Sequence, residues 1–308
     1  MSKPVTLRSP AKVNLFLEVL GKRPDGYHEI ATVMQEVSLF DYLKFEERRK
    51  GIELRISSGS FPAAAGLSTG PDNLIYKAAA LIKRYAGVAS GVRITLQKNI
   101  PIGGGLGGGS SNAAYTLKGL NRLWKLGLAE SELSLLAGEI GSDVPFFIYG
   151  RTALCKGRGE IVFPLPVHPQ FYYLIVYPGF AVPTKRIYQS IRKLPLTKPV
   201  KNVIIFIDDM HKKWLGKIPT AVFNRLEETV FRLYPALKRL QAKLSEEKEL
   251  LTVHVSGSGS SLFGIIKPEC APFLFSCQGG NRKGGDDLIE KIRAQSGGKG
   301  YLVKSVEP

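Results

Sequence analysis

The run Pro101-Ile102-Gly103-Gly104-Gly105-Leu106-Gly107-Gly108-Gly109-Ser110-Ser111-Asn112-Ala113-Ala114 decides how this chain is read. Six of the seven residues 103–109 are glycine, a density for which core packing gives no reason. Lacking Cβ atoms, such a run can turn its backbone N–H groups inward around an anion. Ser110 then opens a helix expected over Ser110–Trp124, whose free N–H groups and positive dipole end suit a phosphate. Ser110 and Ser111 add hydroxyls that could donate to the phosphates or reach a magnesium ion they hold. A flexible linker is disfavoured, because a segment of good helix propensity follows the glycines at once. Two familiar fingerprints do not fit. Gly103-x-Gly105-x-x-Gly108 matches the dinucleotide pattern, but almost any glycine run would, and no βαβ unit opens it. The Walker A pattern fails because Ser110-Ser111 stands where Gly-Lys-Ser/Thr is required.

On either side, the chain alternates between strand and helix patterns. Val13, Leu15, Leu17 and Val19 alternate with Lys12, Asn14, Phe16 and Glu18, the period of a strand, and Arg23-Pro24-Asp25-Gly26 makes a turn. Strands are expected at Val33–Leu39, Leu43–Glu46, Ile52–Ile56 and Val92–Leu96, and helices at Asn73–Tyr85 and Glu130–Ile140. A second set begins after about Gly150. Its strands are expected near Thr152–Lys156, Tyr172–Val176, Thr252–Val255 and Leu262–Ile266. Its helices are expected at Lys185–Ile191, Val203–Leu215, Ala221–Leu226, Tyr234–Leu244 and Asp287–Ala294, with a loop over Gln278–Gly285. Irregular mixing of strands and helices argues for α+β rather than a doubly wound sheet. Two α+β lobes with a cleft between them are expected, divided as 1–157 and 158–308.

Three other places carry chemistry. Period two puts Lys12 and Asn14 on one strand face, about 7 Å apart, as an ammonium and an amide over a cleft or as an edge lysine facing water. Asp143 follows a helix ended by Gly141 and precedes Val144-Pro145. It reads equally as a carboxylate able to take a proton from an alcohol and as the cap of a helix with proline in its first turn. Ser256-Gly257-Ser258-Gly259-Ser260-Ser261 is a second small-residue loop, and with the first it gives two backbone surfaces able to close on a ligand. His168, His211 and His254 are isolated, without ligand-like spacing, and read as surface or loop histidines. Cys155 lies in an apolar strand and reads as a core residue.

Composition limits the rest. The 308 residues carry 43 Lys+Arg against 26 Asp+Glu, a net +17, with 44% hydrophobic and 22% charged residues, which is a globular and not a disordered balance. The basic residues are scattered, and short runs such as Glu46–Lys50, Lys198–Lys201 and Lys212–Lys213 are not interleaved with aromatics. A solvated basic surface that concentrates anionic ligands is therefore favoured over RNA binding. No apolar run approaches the ~20 residues that span a bilayer. Met1–Pro10 has no signal-peptide pattern, and Cys155, Cys270 and Cys277 form no CxxC pair. A cytoplasmic protein is expected, a monomer or homodimer, with neither a membrane nor a specific nucleic acid as partner.

Taken in order, Ser9-Pro10-Ala11-Lys12-Val13-Asn14-Leu15, the glycine loop and Ser256–Ser261 resemble the motifs of the GHMP small-molecule kinases, over nearly the whole chain. Arg23-Pro24-Asp25-Gly26-Tyr27-His28-Glu29, Gly141-Ser142-Asp143-Val144-Pro145-Phe146 and Pro183-Thr184 narrow the likeness to the branch acting on 4-diphosphocytidyl-2-C-methyl-D-erythritol in the non-mevalonate isoprenoid route. The resemblance implies transfer of the ATP γ-phosphoryl group to the 2-hydroxyl of the erythritol moiety, with Mg2+ arriving on the nucleotide. It assigns Pro101–Ser111 to the ATP phosphates and Asn73 to the adenine side. Lys12 and Asp143 become the catalytic pair, Asp143 taking the hydroxyl proton while Lys12 stabilises developing charge and keeps Asp143 ionised. Tyr27 and His28 become cytidine contacts, Thr184 and Tyr188 the second wall of that pocket, and Asn14 a substrate contact. Tyr188 and the sequence Asn224-Arg225-Leu226-Glu227 depart from the family's usual residues, and the loops at 197–203 and 278–285 look long and basic. The near rival is another GHMP kinase, acting on mevalonate, homoserine or a sugar. The distant rival is a non-catalytic RNA-binding α+β protein.

Overall fold

The alternation in Val13–Val19 is realised in a strand of 18 residues, β1 (Val5–Lys22), which sits at the centre of the molecule. The computed structural model describes residues 2–58, 66–166, 168–191, 203–204, 206–208, 221–275 and 283–306. β1 pairs antiparallel with β2 (His28–Arg48). Around them lie β3 (Ile52–Ser58), β4 (Gly91–Lys98), β5 (Thr152–Gly157), β6 (Ile161–Pro164) and β8 (Phe223–Asn224), completing a seven-stranded sheet. β7 (Tyr172–Tyr177), β9 (Leu250–Val255), β10 (Leu262–Ile266) and β11 (Lys299–Lys304) form a second sheet in the order β11-β7-β10-β9. The first sheet thus takes in Ile161–Pro164 and Phe223–Asn224, both beyond residue 157.

Three apolar layers hold this together. Helices α1 (Leu74–Tyr85), α2 (Gly108–Leu123), α3 (Glu130–Ile140) and α4 (Val144–Tyr149) cover one face of the first sheet, burying Phe45, Ile94, Leu117, Leu136 and Phe146. Its other face meets the second sheet through Val13, Leu15, Tyr173, Ile175 and Phe263. The far face of the second sheet is closed by the later helices Thr184–Gln189, Glu227–Leu233, Pro235–Ser245, Ala271–Phe275 and Lys283–Ser296. Period two is visible in β7: Tyr173 and Ile175 point into the inter-sheet core, Leu174 and Val176 into the outer one. The α+β class holds, since among the described residues most ladders are antiparallel and only β1–β8 and β3–β4 run parallel.

Several local readings need correction. The two strands expected at Val33–Leu39 and Leu43–Glu46 are one, because Asp41 between them does not break the ladder. Its carboxylate accepts from the backbone N–H groups of Asn99 and Ile100, from Asn112 Nδ2 and from the Lys98 ammonium. The helix expected at Ala221–Leu226 is replaced by β8 and a helix beginning at Glu227. There the Asn224 amide donates to the carbonyls of Val255 and Gly257 and accepts from Leu226 N–H, so the side chain competes with helical bonding. Ile161–Pro164 and Lys299–Lys304 are strands that the spacing does not announce. Of the expected loop 278–285, residues 283–285 are helical and the rest lies outside the described residues. The expected helix 203–215 is described only at 203–204 and 206–208, which are helical. His211, Cys277 and residues 197–202 fall outside the described set.

Candidate active site

Lys12 leaves β1 toward the helix layer, because Val13 and Leu15 are committed to the inter-sheet core. Its ammonium is 4% exposed. It donates to Asn14 Oδ1 at 2.6 Å and to the carbonyl of Gly105 at 2.7 Å, and lies 3.9 Å from Asp143 Oδ2. Burial holds the Lys12 pKa below the ordinary lysine value, and the nearby Asp143 charge pulls the other way. Asp143 stands at the N-cap position of α4 but makes no capping hydrogen bond with its side chain, and its carboxylate reaches Lys12 instead. Asn14 passes the network on by donating to Thr32 Oγ1 at 2.9 Å.

The glycine loop is seated on the second loop. Ser261 N–H donates to the Gly104 carbonyl at 3.0 Å, and Ser256 Oγ to the Gly105 carbonyl at 3.0 Å. Gly105 has φ +76°, and a Cβ there would stand 2.1 Å from the Ser256 carbonyl oxygen. Gly107 is the left-handed cap of α2, and a Cβ there would meet the Phe147 ring at 2.9 Å and the Lys12 stem at 3.0 Å. The reading that packing gives no reason for these glycines is therefore corrected: close approach of loop, lysine and ring demands them, as the folding of N–H groups around an anion would. Behind Gly107, the first turn of α2 presents N–H groups that lack intrahelical partners. No acidic side chain stands in that turn.

These pieces border a cleft of about 1240 Å3. It is lined by Lys12, Asn14, Tyr27, His28, Asn73, Pro101–Ser110, Asp143, Thr184 and Tyr188, so one space collects nearly every residue expected in a site. Ser111 is the exception: it is fully buried and its hydroxyl shares a hydrogen bond of 2.7 Å with Ser9 Oγ. Leu106 buries its side chain between the two sheets. Asn73 caps α1 by accepting from Ile75 N–H, and its Nδ2 donates to the Ser68 carbonyl. His28 lies with its ring centroid 5.3 Å from that of Tyr188, and burial, with help from Lys22, lowers its pKa. Burial also pushes the Tyr188 hydroxyl up, reinforced by the charge of Asp143. Tyr27 is 54% exposed, with the Arg158 guanidinium 4.9 Å from its ring centroid. Thr184 Oγ1 is 2.9 Å from Ser258 Oγ, so the second loop touches this wall too.

Lys22, Lys98, Arg158 and Lys185 also line the cleft and were not singled out from the sequence. Only Arg158 carries a local signal, being held between Gly157 and Gly159 in a hairpin. Among the described residues, no group of three or more His, Cys, Asp or Glu is arranged to hold a metal. His254 is no loop histidine: it sits in β9, bonded to Glu227 and Thr252. Cys155 is fully buried as expected. No helix among the described residues is long and apolar enough to cross a membrane.

Comparison with known proteins agrees with this arrangement. Residues 73–151 match the GHMP kinases N terminal domain and residues 206–272 the GHMP kinases C terminal domain. The 4-diphosphocytidyl-2-C-methyl-D-erythritol kinase of Shouchella clausii is 38% identical over 265 residues, covering 86% of both chains. The protein of the same name from Caldicellulosiruptor bescii is 40% identical over 261 residues, covering 84% of this chain and 88% of its own. A crystal structure of 4-(cytidine 5'-diphospho)-2C-methyl-D-erythritol kinase superposes with a TM-score of 0.75 at 34% identity, covering 99% of this chain and 100% of its own. A homoserine kinase from Cytophaga hutchinsonii reaches the same TM-score at 19% identity, a likeness of fold. The chain belongs to the GHMP kinases, in the 4-diphosphocytidyl-2-C-methyl-D-erythritol kinase family.

Proposed function

We propose that this chain transfers the γ-phosphoryl group of ATP to the 2-hydroxyl of 4-diphosphocytidyl-2-C-methyl-D-erythritol, giving the 2-phosphate and ADP for isoprenoid precursor synthesis by the non-mevalonate route. The observation that carries the reading is the approach of Lys12 Nζ to Asp143 Oδ2, 3.9 Å, at the edge of the glycine loop, whose Gly105 carbonyl accepts from the same ammonium. Phosphoryl transfer asks for positioning and charge stabilisation more than for covalent chemistry. Asp143 accepts the proton of the 2-hydroxyl, whose oxygen bonds to the γ-phosphorus as the bond to the bridging oxygen of ADP breaks. Lys12 meets charge developing on the transferred group. The N–H groups of the loop and the first turn of α2 hold the phosphates, and Asn73 stands on the adenine side. Mg2+ would come with the nucleotide, where it would neutralise charge on the phosphates and keep several of its waters. Asp143 and Ser110 are among the side-chain oxygens that line the cleft beside the loop, and would be placed to meet the metal or its waters.

The opposite end of the cleft supports the cytidine assignment. His28, kept neutral by its lowered pKa, offers one donor and one acceptor to a base edge. Tyr27 and Tyr188 offer ring faces, Thr184 a hydroxyl, and Asn14 faces the acceptor alcohol. A cytoplasmic setting belongs to this proposal. The test is ADP release from ATP with the cytidylyl substrate. Asp143→Asn lowers turnover by ~100-fold or more with the fold intact. His28→Ala raises KM for the cytidylyl substrate and leaves KM for ATP unchanged; normal substrate affinity in that variant would refute the pocket.

A further inference from the structure

Glu36 takes no part in the chemistry above, yet it touches the supports of both Lys12 and Asp143. In the β1–β2 ladder it stands directly opposite Lys12, so the two side chains leave the sheet on the same face. Its backbone N–H donates to the Arg151 carbonyl at 2.7 Å, and its carboxylate Oε2 accepts from the Arg151 N–H at 2.9 Å. This two-bond clamp closes on a residue whose φ is +59°, an uncommon conformation for anything but glycine. Beside it, a Cβ at Gly150 would lie 2.9 Å from the same carboxylate oxygen.

Gly150 and Arg151 end α4, and Asp143 begins it. Between them Val144, Pro145, Phe146, Phe147 and Ile148 are all buried. A packed helix of six residues moves as a unit, so a hold on one end fixes the other. The same helix sends the Phe147 ring against Gly107, beside the Lys12 stem.

Packing energy alone gives no reason for a carboxylate here. Glu36 is 3% exposed and its Oε1 has no hydrogen-bond partner, a combination that lowers stability. The charged and titratable groups that act with it are Tyr115 and Lys118 from α2 and Arg151 after α4, while Lys12 is its partner in the β1–β2 register. Burial pushes its carboxyl up to about 7, against the pull of the Arg151 N–H and the Lys118 charge.

We propose that Glu36 is a positioning residue, whose clamp on Gly150–Arg151 sets the height of α4 and with it the approach of Asp143 to Lys12. This rests on the phosphoryl-transfer reading of the site. In steady-state kinetics with ATP and the cytidylyl substrate, Glu36→Ala lowers kcat roughly 10- to 100-fold, the cost of a misplacement of about 1 Å. KM for both substrates stays within about two-fold. Glu36→Gln keeps an oxygen for the Arg151 N–H and restores kcat to within about three-fold of wild type. A part in folding alone would lower the melting temperature and leave kcat per folded molecule unchanged. Wild-type kcat in Glu36→Ala, or a loss in Glu36→Gln as large as in Glu36→Ala, overturns the proposal. If Glu36→Ala does not fold, Gly150→Ala tests the same clamp by crowding Oε2, and an unchanged kcat there overturns it equally. Crystal structures of wild type and variant read the clamp without turnover: the gap between Asp143 and Lys12 opens by about 1 Å, and an unchanged gap refutes it. A wild type that does not phosphorylate the cytidylyl substrate, in contrast, refutes the function and leaves the structural comparison to decide the clamp.

Discussion

Replacing Glu36 by Gln removes a titration that the fold makes unfavourable, and its effect on stability has a defined sign and pH window. The carboxyl rises from 4.5 to about 7 because burial disfavours its charged form. Between those values the native chain binds a proton that the unfolded chain releases. The contribution of Glu36 to stability is therefore fully present below pH 4.5, declines as pH rises, and is gone above about 7. At about 1.4 kcal/mol per tenfold change in proton affinity, the interval is worth ~3 kcal/mol. Gln has no such titration, so the stability of Glu36→Gln relative to wild type grows by ~3 kcal/mol across the window, most of it between pH 5 and pH 8. For an m-value of ~3 kcal/mol/M, urea unfolding at pH 8 shifts the midpoint of the variant upward by roughly 1 M relative to its offset at acid pH. The assay is urea unfolding of both proteins, followed by far-UV circular dichroism at half-unit pH steps. A stability difference that stays constant from pH 5 to pH 8, or that moves in favour of wild type, refutes the argument.

Three further outcomes follow from the geometry. Gly105→Ala places a Cβ 2.1 Å from the Ser256 carbonyl at a φ of +76°, and destabilises by about 2 kcal/mol or more in thermal or urea unfolding while raising KM for ATP. Arg225→Ala strands Glu18, which is 2% exposed and held by the guanidinium at 2.6 and 2.7 Å, and costs ~3 kcal/mol in the same unfolding measurements. The lowered pKa of Lys12 sets the basic limb of the pH profile. Activity depends on the protonated amine, so kcat/KM declines as pH rises, at a pH below the ordinary lysine range, and a profile flat into that range argues against a charged Lys12 in the step.

Features carried by strict local patterns were legible in the sequence, and those set by distant partners were not. Lys12 and Asn14 follow from period two alone, and their side chains are hydrogen-bonded. The glycine run announces its loop and the helix behind it, because few other structures tolerate it. Asp41 gave no sign that it sits inside a continuous strand, since its four partners come from Lys98, Asn99, Ile100 and Asn112, nearly sixty or more positions away. Asn224 likewise ends an expected helix by bonding to carbonyls about thirty residues on. Ser111 looks like a phosphate ligand beside Ser110, yet helical geometry turns it inward to Ser9. Arg225 read only as added charge, yet it is the partly buried partner of the buried Glu18. The edge strands at 161–164 and 299–304 are short and weakly patterned; their pairing comes from the sheets they join.

The bonds from Ser261 to Gly104 and from Ser256 to Gly105 pin the polyglycine turn to the Ser256–Ser261 loop at the floor of the cavity. A crevice riveted at its base cannot gape like a clamshell. Two more backbone bonds, from Val182 N–H to the Gly103 carbonyl at 3.3 Å and from Arg225 N–H to the Leu17 carbonyl at 2.8 Å, continue the seam along the wall, so a ligand is admitted by movement of side chains such as exposed Tyr27. The same seam keeps the reacting atoms in register while a ligand comes and goes.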